Sequence, residues 1–186
     1  MMLEENKIVD QAQQVMEKLC ALAKENCEKK FNKYKKGNRK YTQDDVKKYV
    51  RENWTSELVT TSQIRKFLTA VNTVTEKVNA YKLEKTDDYD TLPVELQAES
   101  GQTIVPYGND TLPVELQAQI KYLKVKLAYQ IGRNRSKWGN PVEDFEKEAG
   151  LISLIDGIKS STKEYEKFAH YIEALVAFHK FYGGKD

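Results

Sequence analysis

The chain has 186 residues, 40% hydrophobic and 31% charged, with four prolines and nine glycines. That is room for one domain with a real core, and so few turn formers favour helices over a turn-rich β architecture. Net charge is +2, with two cysteines and two histidines, which excludes a disulfide framework, leaves little for a structural zinc site, and leads us to expect no metal or other cofactor.

The opening MMLEENKIVDQ carries early acids and no apolar stretch of the kind a secretory signal needs. Nor does any apolar run approach the roughly 20 residues of a membrane span. A soluble, cytoplasmic protein with no membrane partner is the expectation. Residues 3–36 predict a helix, because Ile8, Ala12, Val15, Leu19, Leu22 and Ala23 fall within one arc at about 100° per residue. Gly37 and Asn38 end it. Cys20 and Cys27 lie about 10 Å apart along such a helix and cannot bridge each other within it. Residues 29–41, KKFNKYKKGNRKY, contain no acid and three aromatics. The ordinary reading of such a stretch is a solubilising helix end, with contact to RNA or a neighbouring subunit as the alternative. Thr42, with Asp45 three positions on, predicts the cap of a short helix to about Asn53 that buries Val46, Tyr49 and Val50.

The clearest start signal is TTSQIRKFL at residues 60–68. Thr60 and Gln63 have the spacing of a capping box, in which each side chain satisfies a backbone N–H that the first turn leaves unpaired. The predicted helix runs to about Lys85, with Ile64, Phe67, Leu68, Val71, Val74 and Val78 on one side. Arg65, Thr69, Asn72, Glu76 and Asn79 lie on the other. Residues 86–109 read as a loop, with room for one helical turn after Pro93. Their acids Asp87, Asp88 and Asp90 lack the spacing of a calcium loop.

Nine residues, DTLPVELQA, occur twice, at 90–98 and again at 110–118. The first copy runs on into ESGQTIVPYGN and the second into QIKYLKVKLAY. A structural repeat keeps its apolar pattern through the whole unit, because each unit must stack on the next. These copies do not, so they read as a local duplication or insertion in a surface loop, where extra length costs little. The second copy opens a helix whose buried seam is Ile120, Leu123, Leu127 and Ile131. Lys126 and Arg133 share one flank with Tyr122 and Tyr129, which read as packing residues, while Lys121 and Lys124 take the opposite flank. Residues 116–142 hold six basic side chains and no acid.

After the turn at residues 138–141, one helix of about 15 residues is expected through Val142, Phe145, Leu151, Leu154 and Ile155, with Gly157 inside or just past it. The last helix is capped by Ser161 or Thr162 and stops at Gly183 and Gly184. Its apolar arc is wide, taking in Tyr165, Phe168, Tyr171, Ile172, Leu175, Val176, Phe178 and Tyr182, so it is either central in a bundle or buried in a partner. Glu166, His170, Glu173 and Lys180 form its polar stripe. His179 falls within the apolar arc and reads as a packed histidine. The whole predicts an all-α, single-domain helical bundle of about five to six helices, with N-terminal helices over 1–54, a core over 55–85 and 110–186, and an inserted loop at 86–109. The chain lacks a GxxxxGK phosphate loop, a GxSxG elbow and an HExxH motif. No enzyme activity is expected.

Three segments resemble the small helical subunit of type III-A CRISPR effector complexes, the Csm-complex small subunit: LVTTSQIRKFLTAVN at 58–72, IKYLKVKLAYQIGR at 120–133, and YIEALVAFHKFYGGKD at 171–186. The last is the most distinctive, and the resemblance covers about residues 55–85 and 110–186. Members resemble this chain with a shorter link where 86–109 stands, and the long N-terminal helix is more than their core requires. The resemblance implies a non-catalytic subunit that contacts crRNA and target RNA and packs against other Csm-complex subunits, including the backbone subunit and further copies of itself. Base pairing with the guide supplies specificity there, so phosphate and sugar contacts suffice. The residues put forward for RNA contact are Arg65, Lys66, Lys121, Lys124, Lys126, Arg133 and Lys180. A helical protein–protein scaffold whose basic faces are merely solvated is the competing reading; a helix-turn-helix DNA regulator fits less well, because no turn and recognition helix are evident.

Overall fold

The structure is a computed structural model, and it describes residues 3–35, 41–90, 110–136 and 139–185. Several sequence expectations therefore lie outside the described residues: the stop at Gly37 and Asn38, most of the basic stretch between the first two helices, and the insertion from residue 91 with most of the first DTLPVELQA. The described residues form helices joined by short connections, with no β-strand among them. A short 3-10 turn at Glu5–Lys7 leads into α1 (Ile8–Lys35), followed by α2 (Gln43–Asn53), a 3-10 turn at Trp54–Glu57, α3 (Thr61–Asp90), α4 (Val114–Arg133), α5 (Pro141–Ala149), α6 (Leu151–Ile158) and α7 (Thr162–Phe181).

The central helix is α7, which packs against α1, α3 and α6. Its breadth of apolar surface is the cause: Tyr165, Phe168, Tyr171, Ile172 and Leu175 are all buried, so no single neighbour covers it. Two of these aromatics keep their hydroxyls satisfied in the core. The Tyr165 hydroxyl donates to the Val71 carbonyl at 2.9 Å and lies 2.9 Å from Thr75 Oγ1, and burial pushes its pKa up to about 12. The Tyr171 hydroxyl donates to the Ala149 carbonyl at 3.3 Å. On the other side α3 packs on α4 and α4 on α6. Cys20 and Cys27 are buried free thiols; burial pushes both upward from their ordinary range.

The cap predicted at Thr42 forms, as a full capping box with Asp45, and so does the capping box predicted at Thr60. Thr42 and Asp45 exchange side-chain and backbone bonds at 2.7 and 3.3 Å, and Thr60 and Gln63 do so at 2.8 and 3.2 Å. Three expectations need correction. First, α3 continues to Asp90 rather than stopping near Lys85. Acids at a helix C-terminus oppose the macrodipole, but no glycine or proline stands there to end the helix. Lys82 pairs with Glu166 on α7 at 2.5 Å, which holds the preceding turn on the bundle. Second, the helix after Asn140 is two helices. Gly150 adopts φ 63 and ψ 31, a left-handed conformation open to glycine at little cost, and breaks the run between α5 and α6. Third, Tyr49 is not buried: it is 39% exposed, while Val46 beside it is in the core.

The second DTLPVELQA has a structural task. Asp110 Oδ1 accepts from the Lys163 backbone N–H at 2.9 Å and Oδ2 from the Ser161 hydroxyl at 2.8 Å. The Leu112 N–H donates to the Ser160 carbonyl at 2.7 Å, and the Thr162 N–H to the Asp110 carbonyl at 3.2 Å. The loop entering α4 thus closes the first turn of α7, alongside the Ser161 cap, whose hydroxyl accepts from the Glu164 N–H at 3.2 Å. Partial burial by itself would raise the Asp110 pKa; the bonds from Lys163 and Ser161 outweigh it and hold the carboxyl below its ordinary value of 3.8. A depressed folded-state pKa means that this contribution is complete at neutral pH and is lost as pH falls below about 4 through the folded value. Asp110→Ala is expected to lower unfolding free energy by about 1 kcal/mol at pH 7, the usual size of a helix-cap loss at an exposed site. The difference from the parent should shrink in urea melts near pH 3.

Candidate nucleic-acid interface

On α4, Tyr122, Lys126, Tyr129 and Arg133 recur at i, i+4, i+7 and i+11, so at 100° per residue they form one stripe about 60° wide. The seam of Ile120, Leu123 and Leu127 is buried against the bundle, and the stripe is turned away from it. Tyr122 is 57% and Tyr129 68% exposed. The expectation that they pack is therefore wrong: the core-facing side of α4 is already filled by aliphatic residues.

The stripe faces the first turns of α3 across an open groove of about 550 Å³, lined also by Gln63, Lys66, Val125, Gln130 and Asn134. Its lining holds three cations, Lys66, Lys126 and Arg133, and no carboxylate. Of the seven residues put forward for RNA contact, the structure brings these three together. Arg65 is exposed on the outer side of α3, beside Lys66 in the chain but not in the groove wall. Lys121 is exposed on the other flank of α4, and Lys180 on the polar stripe of α7.

Lys124 is half-buried and paired with Asp156 of α6 at 2.6 Å. The acid missing from its own stretch of sequence is supplied by another helix. Its charge is largely committed within the fold, and its side chain leans on α6 rather than toward the groove.

The two walls are joined by Gln63. Its Oε1 accepts from the Thr60 N–H in the capping box, and its Nε2 donates to Asn134 Oδ1 at 2.7 Å. Asn134 in turn donates to the Gln130 carbonyl at 2.7 Å, and Asn140 to the Ile131 carbonyl at 2.8 Å. These bonds occupy the end of α4 and leave the Arg133 side chain to the groove.

The start of α3 is held a second time, from behind. The Thr61 N–H donates to the Lys185 carbonyl at 2.9 Å, and the Thr61 hydroxyl to the Gly184 carbonyl at 3.4 Å. His179 is 1% exposed, and its Nε2 lies 2.7 Å from the Val59 carbonyl oxygen. A carbonyl only accepts, so Nε2 carries the proton. The expectation of a packed histidine holds, with a defined duty. Gly184 sits against that ring: a Cβ built there would lie 2.0 Å from His179 Cε1. No sequence periodicity reports the bond between His179 and Val59, because it joins residues at opposite ends of the family-like core.

The three segments that carry the resemblance thus meet at one place, the entry to α3. The family model described as Csm2 Type III-A matches residues 40–185. The chain belongs to the Csm2 family. It is accordingly a small subunit of a type III-A Csm complex, whose other subunits are its partners. Among its relatives, the CRISPR system Cms protein Csm2 of Streptococcus thermophilus is 29% identical over 136 residues, covering 73% of this chain and 83% of that protein. The protein of the same name from Mycobacterium tuberculosis strain H37Rv is 34% identical over 68 residues, 37% of this chain and 51% of its own length. That from Enterococcus italicus is 36% identical over 66 residues, 34% and 44% of the two chains. The Csm2 match begins after α1, all of which lies outside the matched region. Among the described residues no three His, Cys, Asp or Glu side chains gather as a metal site requires, and no helix is long and apolar enough to cross a membrane.

Two substitutions test how the entry to α3 is held. Gly184→Ala forces the buried His179 ring out of its seat and is expected to destabilise by about 2 kcal/mol or more, the scale of overpacking a filled site. Gln63→Ala removes one cap bond and the clasp to Asn134, for about 1 to 2 kcal/mol. Thermal melts of the purified chain read both, and an unchanged melting temperature for Gly184→Ala would contradict the tail contact.

Proposed function

We propose that this subunit is non-catalytic and holds the guide–target RNA of its cytoplasmic complex by the phosphate backbone, with the groove between α3 and α4 as the contact surface. The observation that carries the reading is the groove lining: three cations and no carboxylate, beside two exposed tyrosines. Cations unpaired by local acids are what release counterions when phosphates bind, and that release is the main source of sequence-independent affinity. Tyrosine faces beside them give riboses and bases an apolar surface without reading sequence. Specificity is left to base pairing between crRNA and target RNA, and the rest of the surface is free to pack on the backbone subunit and on further copies of the same chain, in antiviral defence. Lys66, Lys126 and Arg133 carry the contact. Arg65, Lys121 and Lys180 lie on other faces, and Lys124 serves the fold.

The test is the triple variant Lys66→Ala/Lys126→Ala/Arg133→Ala, assembled with the other Csm subunits and guide RNA. Target-RNA retention is expected to weaken for every target sequence alike, and the slope of log affinity against log salt to fall by about 0.7 to 0.9 for each phosphate that is no longer neutralised. Normal assembly with unchanged retention and slope would favour the protein–protein scaffold instead.

A further inference from the structure

Along α4 the groove wall alternates tyrosine and cation. Tyr122, Lys126, Tyr129 and Arg133 step up the axis by about 6, 4.5 and 6 Å at 1.5 Å per residue. Both tyrosines are more than half exposed. No hydrogen bond among the described residues engages either hydroxyl, and none of Lys66, Lys126 and Arg133 is ion-paired among them. The hydroxyls matter because the lining is otherwise poor in acceptors. Lysine and arginine only donate, and no carboxylate lines the groove. The amides of Gln63 and Asn134 are already engaged: Gln63 Oε1 accepts from the Thr60 N–H, its Nε2 donates to Asn134 Oδ1, and Asn134 Nδ2 donates to the Gln130 carbonyl. Among the lining residues, the side-chain oxygens not engaged within the fold are those of Tyr122, Tyr129 and Gln130.

We propose that Tyr122 and Tyr129 make this groove selective for ribose over deoxyribose, each hydroxyl exchanging a hydrogen bond with a ribose 2′-hydroxyl while the cation one turn along takes the adjacent phosphate. The inference rests on the reading of the groove as an RNA-backbone surface and names what that surface distinguishes. A nucleic-acid strand alternates phosphate and sugar, as the wall alternates cation and phenol. Phosphate oxygens only accept, so the cations serve RNA and DNA alike. The 2′-hydroxyl is both donor and acceptor, and it is the group that tells the two polymers apart. A cation can accept nothing from it, whereas a tyrosine hydroxyl can both give and take. In an A-form duplex the wide, shallow minor groove displays these hydroxyls, open to side chains that stand out from a helix flank. The selectivity is for the sugar, so sequence is still left to base pairing.

The test uses the Csm complex assembled with guide RNA and two targets of one sequence: unmodified RNA, and RNA carrying 2′-fluoro in place of every 2′-hydroxyl, which keeps the A-form sugar but cannot donate. Tyr122→Phe/Tyr129→Phe keeps both rings and removes both hydroxyls. At 57% and 68% exposure neither hydroxyl supports the fold, and an unchanged melt of the purified chain checks this. The double variant is expected to weaken retention of the unmodified target by about two- to tenfold per hydroxyl, the range of one net hydrogen bond. It should leave the 2′-fluoro target where it was, so that the parent complex's preference for the hydroxylated strand narrows. Lys66→Ala/Lys126→Ala/Arg133→Ala should weaken both targets equally and keep the preference. Equal weakening of the two targets by the double variant, or no weakening of either, would overturn the proposal and leave the phosphate reading of the groove in place. Unchanged retention of both targets by the cation variant would instead overturn that reading, and the proposal with it.

Discussion

The peptide groups from Val59 to Gln63 are where three distant parts of the chain are tied together. The Val59 carbonyl takes the proton-bearing nitrogen of His179, the Thr61 N–H and hydroxyl are answered by the carbonyls of Lys185 and Gly184, and Gln63 links the capping box to Asn134 at the end of α4. The first N–H groups of any helix lack partners inside it. Here the demand is met by the C-terminal tail and by the helix's own cap, and the same cap residue reaches across to the opposite wall. The position of Lys66 relative to Lys126 and Arg133 follows from these ties, because Lys66 lies within the first turns that they fix. The glycine pair near the end of the chain is part of this device: Gly183 turns the backbone at φ 87, and Gly184 has room beside His179 only because it lacks a side chain.

Electrostatics then separates residues that look alike in sequence. Lys124 and Lys126 are two positions apart on α4, yet about half a turn of helix decides their roles. Lys124 meets Asp156 and is neutralised within the fold. Lys126 enters a lining without acids. A surface ion pair of that kind contributes little to stability, of the order of 0 to 1 kcal/mol, but it lowers the cation's value to a phosphate. The groove lining supplies no carboxylate to offset its cations.

Most of the helices were legible in the sequence, for reasons local to them. The boxes at Thr42 and Thr60 are contacts between residues three apart, and the seams of α3, α4 and α7 follow a single period. The misreadings came from contacts that span the chain. Tyr122 and Tyr129 have helical spacing like core residues, and only the filling of the other face by Ile120, Leu123 and Leu127 shows that they are not needed inside. Asp156 is remote from Lys124 in sequence, so a stretch free of acid was not a surface free of acid. The break at Gly150 was available as a glycine before a run of five mostly apolar residues, LISLI, but glycine within a helical pattern has no fixed meaning without its φ angle. The two copies of DTLPVELQA run on into unlike sequence, yet nothing local told that the second would cap α7.

The central claim is that the wall between α3 and α4, rather than the other basic flanks, meets RNA. Ultraviolet cross-linking of the assembled Csm complex on a target strand, followed by peptide mapping of this chain, tests it most directly. Cross-links concentrated at Lys66 and along Tyr122, Lys126, Tyr129 and Arg133 are the predicted result. Cross-links confined to Lys121, Lys124 and Lys180, with none in the groove, would contradict it.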